Sequence, residues 1–151
     1  MSDITAVTVT TSGAVLGAVL LKLRTLRGMK QGDLAETVGV GASTWSRIEK
    51  GETSLSIDQL RLAAKALGKT PGQILEMAED AEQEVLKRGV KVEPLGTSSR
   101  TLATLSSAAI ASSSIFGVAS VIPVFGATLG ALIGGAVAAH LKEKKDDKKD
   151  K

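Results

Sequence analysis

The chain has 151 residues, with 19 Lys and Arg against 16 Asp and Glu for a net charge of +3, which is room for one small domain and an appendage. It has no Cys, and its only His is His140; disulfides, thiolate metal sites and histidine-based catalytic or metal clusters are therefore excluded. The three aromatic residues, Trp45, Phe116 and Phe125, are too few for the stacking platforms that hold single-stranded nucleic acid.

The charges are segregated. Residues 12–75 carry nine basic and five acidic side chains, residues 76–93 three basic and six acidic, and residues 142–151 six Lys and four acids. The basic excess lies at 12–75 and in the tail, which favours an anionic partner there. Residues 1–11 have no basic start, and the apolar run 14–21 is followed at once by Lys22, Arg24 and Arg27. That is not the order of a secretion signal, so the first domain is expected in the cytoplasm.

Residues 1–11, rich in Thr and Val, read as a flexible arm or a short edge strand. Ser12 is the expected N-cap of a first helix, in which Val15, Leu16, Val19, Leu20, Leu23 and Leu26 recur at helical spacing up to Gly28. A second helix runs from Gln31 to Val38, with Leu34, Ala35 and Val38 inward, and Gly39-Val40-Gly41 is the turn. A third covers 42–50 and is ended by Gly51. Ser56 caps a fourth, with Ile57, Leu60, Ala63, Ala64 and Leu67 on its apolar face and Gly68 as its stop. Thr70 and Pro71 open a fifth, whose stripe of Ile74, Ala78, Ala81 and Val85 runs to about Arg88.

Residues 89–100 read as a linker, with a short extended piece at 90–95. Residues 101–139 hold no charged side chain, and 21 of these 39 residues are Ala, Ser or Gly. Pro123 divides the stretch into arms at 102–122 and 124–141, each close to the ~20 helical residues that cross a bilayer core of about 30 Å. Gly126, Gly130 and Gly134 share one helix face, the spacing that lets a second helix approach closely. Residues 142–151 are expected to be a charged, disordered tail.

Certain residues carry a family resemblance over 16–75. They are Leu20-Leu-Lys-Leu-Arg24, Gln31-x-x-Leu-Ala35, Gly39-Val40, Ser43-Thr-Trp-Ser-Arg-Ile-Glu49 with Gly51, and Leu62-Ala-x-x-Ala-Leu-Gly68. The run resembles the Xre, or Cro/lambda-repressor-like, helix-turn-helix regulators of bacteria and phages. The resemblance implies five helices around one core. It also implies a third helix lying in the major groove of double-stranded DNA, and dimers on half-sites about 34 Å apart.

On helix three, Trp45, Ile48 and Glu49 fall at inward or structural spacing, and Ala42, Ser43, Ser46 and Arg47 on the opposite side. These four are the candidate base contacts. Arg47 suits either a bidentate contact to guanine or a phosphate, and both remain open. Lys30, Gln31, Thr44 and Lys50 are the candidate phosphate contacts; in the family, the position of Gln31 either donates to a phosphate or buttresses the reading helix. Trp45 reads as a core residue. Gly32, Gly41 and Leu21 depart from the family's usual residues, and Gly32 costs about 1 kcal/mol of helix propensity relative to Ala. The stripe on helix five is either a dimer surface or packed on its own domain.

The expected fold is all-α: a five-helix lambda-repressor-like domain at 12–88, then an apolar glycine-zipper hairpin at 101–141. Three readings of the hairpin stand: membrane insertion through 102–141, self-association in water through the glycine face, and a membrane-active element. Basic flanks at Arg88, Lys91 and Arg100 and in the Lys-rich tail favour a hairpin with both ends inside. The expected function is a sequence-specific DNA-binding transcriptional regulator tethered to the inner face of the cell membrane. Its partners would be double-stranded DNA, a second copy and membrane lipid. The alternative is a small membrane-active or oligomerising protein of toxin–antitoxin type, whose helix-turn-helix serves self-regulation or protein contact. No nucleophile–base pair can be assembled from these residues, so no enzyme, metal, cofactor or small-molecule substrate is expected.

Overall fold

The structure is a computed structural model and describes residues 7–94, 121–123 and 127–146. The chain runs β1 (Val7–Thr11), α1 (Ser12–Leu26), α2 (Gln31–Val38), α3 (Ala42–Glu49), α4 (Ile57–Ala66), α5 (Pro71–Lys87), β2 (Lys91–Glu93), β3 (Val121–Pro123) and α6 (Ala127–Asp146).

Local chemistry sets the helix ends. Thr11, not Ser12, caps α1: its Oγ1 accepts from the Ala14 amide at 3.1 Å. Reciprocal capping boxes open α4, between Ser56 and Gln59, and α5, between Thr70 and Gln73. Asp33 accepts from the Lys30 amide at the start of α2.

One core joins all six described helices, with Val15, Val19, Leu20 and Leu23 of α1 against Leu34, Trp45, Ala64, Ile74, Met77 and Val85. The α5 stripe of Ile74, Ala78, Ala81 and Val85 is buried within the chain, and α5 packs on α1 and α6. Leu26 and Ile57, both expected inward, are exposed, Ile57 to 72%. Each sits in the terminal turn of its helix, beyond the rows that close on the core.

The expectation of an all-α fold needs correction. The three strands form a parallel sheet in the order β2-β1-β3. Val9 pairs with Lys91 and Thr11 with Glu93; Val7 pairs with Val121 and Val9 with Pro123. Residues 7–11 are thus neither an arm nor an edge strand but the middle of the sheet, with Val9, Thr10 and Thr11 buried. Parallel pairing needs a long crossover, and the five helices between β1 and β2 supply it. Residues 91–93 fall in the piece at 90–95 expected to be extended within the linker, and they form β2. Pro123 ends an edge strand, where its missing N–H is tolerated.

The expected membrane hairpin is corrected in its second arm. Its second arm is largely α6, which carries Leu129, Ile133 and Val137 at four-residue spacing, all fully buried, and which packs on α5 and α1. Leu129, Ile133 and Val137 thereby close the domain's own core. No helix among the described residues is long and apolar enough to cross a membrane. His140 Nε2 lies 2.5 Å from Asp80 Oδ2, joining α6 to α5. Residues 142–146, expected to be disordered, continue the helix. A Cβ added at Gly130 or Gly134 would meet nothing within 4 Å, so these glycines serve no close approach within the described residues. The rest of the apolar stretch, with residues 102–120 and Gly126, lies outside the described residues.

Candidate nucleic-acid interface

The helix-turn-helix is built by α2, a left-handed turn and α3. Gly39 takes φ +79°, and the Val40 amide reaches back to the Ala35 carbonyl at 3.0 Å, closing the end of α2. Trp45 and Ile48 then bury the inner side of α3.

The remaining inner residue, Glu49, is 2% exposed. Its Oε1 accepts from Arg24 Nε at 2.6 Å and from Trp45 Nε1 at 2.8 Å. Its Oε2 accepts from Gln31 Nε2 at 2.8 Å and from Arg24 Nη2 at 3.2 Å. Arg24 Nη1 also donates to the Met29 carbonyl at 2.9 Å. A buried carboxylate is tolerated only when paired and hydrogen-bonded, and here four donors from α1, α2 and α3 converge on it. The three helices are thereby locked in one relative orientation. Among the described residues no buried side-chain nitrogen or oxygen lacks a partner.

The outer side of α3 is open. Ala42, Ser43, Arg47 and Lys50 are exposed, as is Lys30; Gln31, Thr44 and Ser46 are half-buried. The four candidate base contacts, and Lys30, Thr44 and Lys50 among the candidate phosphate contacts, are each at least partly open to solvent. Gln31 Nε2 donates to Glu49 at 2.8 Å, which holds its side chain against α3.

Two participants escaped the sequence reading. Arg24 enters there only as a basic residue after the apolar run and as a landmark of the resemblance, with no partner assigned, although an arginine and a glutamate at these landmarks was the available signal. Glu52 gave no signal: its Oε2 lies 3.5 Å from Arg47 Nε, and its place follows from the backbone after Gly51. Among the described residues no group of three or more His, Asp or Glu is arranged to hold a metal ion.

A family profile described as helix-turn-helix matches residues 20–74, from within α1 into the first turn of α5. Residues 20–74 belong to this family, of the Xre and Cro/lambda-repressor type. The helix-turn-helix is also similar to a solved structure, that of the clp gene regulator ClgR from Corynebacterium glutamicum. The two are 32% identical, the match covers 51% of this chain and 87% of that one, and the TM-score is 0.44. No curated protein matches the chain.

Proposed function

We propose that this chain is a transcription regulator that binds double-stranded DNA and reads its sequence through α3. One observation carries the reading: α3 is two-sided. Trp45, Ile48 and Glu49 anchor its inner side, while Ala42, Ser43 and Arg47 stand exposed on the other. A major groove about 12 Å wide admits one such helix, and short polar side chains on it can reach base edges. The basic excess over residues 12–75 draws the domain to DNA by counterion release.

In this reading Ala42, Ser43, Ser46 and Arg47 meet bases, and Lys30, Thr44 and Lys50 meet phosphates. Gln31 acts through Glu49 by holding α3 at its angle. Two copies bind paired half-sites, and the work is done in the cytoplasm, where the chromosome is. A membrane tether through α6 forms no part of the proposal, because its apolar row is engaged with α1 and α5.

The test is selection of bound duplexes from a random pool by the full chain. A shared short motif should emerge, and Arg47→Ala should weaken binding to it more than binding to unrelated duplex. Recovery of unenriched pool sequences would overturn the reading.

A further inference from the structure

We propose that Glu52 is a positioning residue that aims Arg47 at a base rather than at the DNA backbone; this rests on the reading of α3 given above. The evidence begins with the backbone. α3 ends in a left-handed Gly51 at φ +75°. The Gly51 amide donates to the Ile48 carbonyl and the Glu52 amide to the Arg47 carbonyl, each at 2.9 Å. This paired closure folds residue 52 back over the last turn of the helix, beside residue 47. Gly51 cannot readily give way to another residue, because a Cβ there would lie 2.4 Å from the Ala14 backbone. The Glu52 carboxylate is therefore delivered next to the Arg47 guanidinium by the architecture of the helix end.

The ion pair runs between Glu52 Oε2 and Arg47 Nε at 3.5 Å, with the side chains 54% and 62% exposed. Such an exposed pair adds little to stability. Its effect is on what Arg47 can bind. Nε is the inner nitrogen, so pairing there leaves the outer Nη1–Nη2 edge free, the edge that makes an end-on bidentate contact to guanine O6 and N7. A phosphate brought to Arg47 would meet the carboxylate charge at close range, whereas a guanine edge carries no net charge. Glu52 thus penalises the sequence-independent contact and spares the sequence-dependent one.

The experiment uses the full chain, a duplex enriched from a random pool and an unrelated duplex, each titrated at several salt concentrations. Wild type, Glu52→Gln, Arg47→Ala and the double variant are compared. Glu52→Gln should raise affinity for the unrelated duplex about two- to fivefold, the scale of an exposed pair, and lower the discrimination ratio by the same factor. As Arg47 gains a phosphate contact, the log–log salt slope should steepen by about 0.9. Glu52→Asp, which keeps the charge, should keep the ratio. In the Arg47→Ala background Glu52→Gln should leave the ratio unmoved. An unchanged ratio and slope in Glu52→Gln, or an equal change with and without Arg47, overturns the inference alone. Failure to enrich any duplex overturns the reading of α3, and this inference with it.

Discussion

Gly17 of α1 lies so close to the end of α3 that a Cβ on it would sit 2.4 Å from the Ile48 carbonyl oxygen and 2.5 Å from that of Glu49. Gly51, just past α3, stands equally close to the Ala14 backbone. The proposed reading helix is therefore seated on α1 backbone against backbone, with no side chain to cushion a change.

Gly17→Ala and Gly51→Ala should each destabilise the fold by about 1–3 kcal/mol or more through overpacking. Gly51→Ala adds the cost of the left-handed conformation, about 1–2 kcal/mol. Gly32→Ala and Gly134→Ala meet nothing within 4 Å and should instead stabilise by about 0.5–1 kcal/mol, the gain of Ala over Gly inside a helix. Denaturant midpoints at constant slope measure both effects. A loss on Gly134→Ala would mean that something packs against that face.

Glu49→Gln removes the charge opposite Arg24 and turns one acceptor into a donor facing other donors. Breaking a buried pair costs about 3–5 kcal/mol, and because the Arg24 side chain keeps 15% exposure the lower end applies. Trp45→Phe removes one hydrogen bond to Glu49 and should cost about 1 kcal/mol plus a small packing loss. Unfolding monitored by circular dichroism ranks the two, and equal costs would contradict the network.

Ile133→Ala should cost about 2–5 kcal/mol of global stability, the range for truncating a fully buried aliphatic. The same substitution in a helix held by lipid would alter membrane partition and leave the unfolding of the domain untouched. Urea unfolding of the full chain separates these outcomes. His140→Ala should matter far less, under about 1 kcal/mol, because its partner Asp80 is exposed.

Arg47→Ala and Lys50→Ala should differ in kind. The first should cost about 1–3 kcal/mol on the enriched duplex and relax specificity at one position. The second should weaken binding alike on every sequence and reduce the salt slope by about 1. Electrophoretic titration across a salt series reads both, and identical behaviour would reject the division into base and phosphate contacts.

Much of the helical domain was legible along the chain because its signals are local. Caps at Ser56 and Thr70, left-handed glycines at 28, 39, 51, 68 and 89, and apolar rows at helical spacing all relate residues no more than about four apart. The candidate reading face followed from the same periodicity, since Trp45, Ile48 and Glu49 leave Ala42, Ser43, Ser46 and Arg47 on the other side. Glu52 was hidden because its position depends on how the chain turns after Gly51, and Arg24 because its partner lies on another helix.

The sheet and the last helix were not legible in this way. Three-residue strands carry no usable period, and β1 finds its neighbours at residues 91–93 and 121–123 only after the helices between have folded back. An uncharged run rich in Ala and Gly suits a bilayer and a protein interior alike, since both are apolar solvents. Periodicity and capping were enough to prescribe the first five helices and the outward side chains of α3. The assembled core alone directed Leu129, Ile133 and Val137 onto α1 and α5, because that choice compares apolar surfaces distant along the chain, and no stretch of sequence holds both.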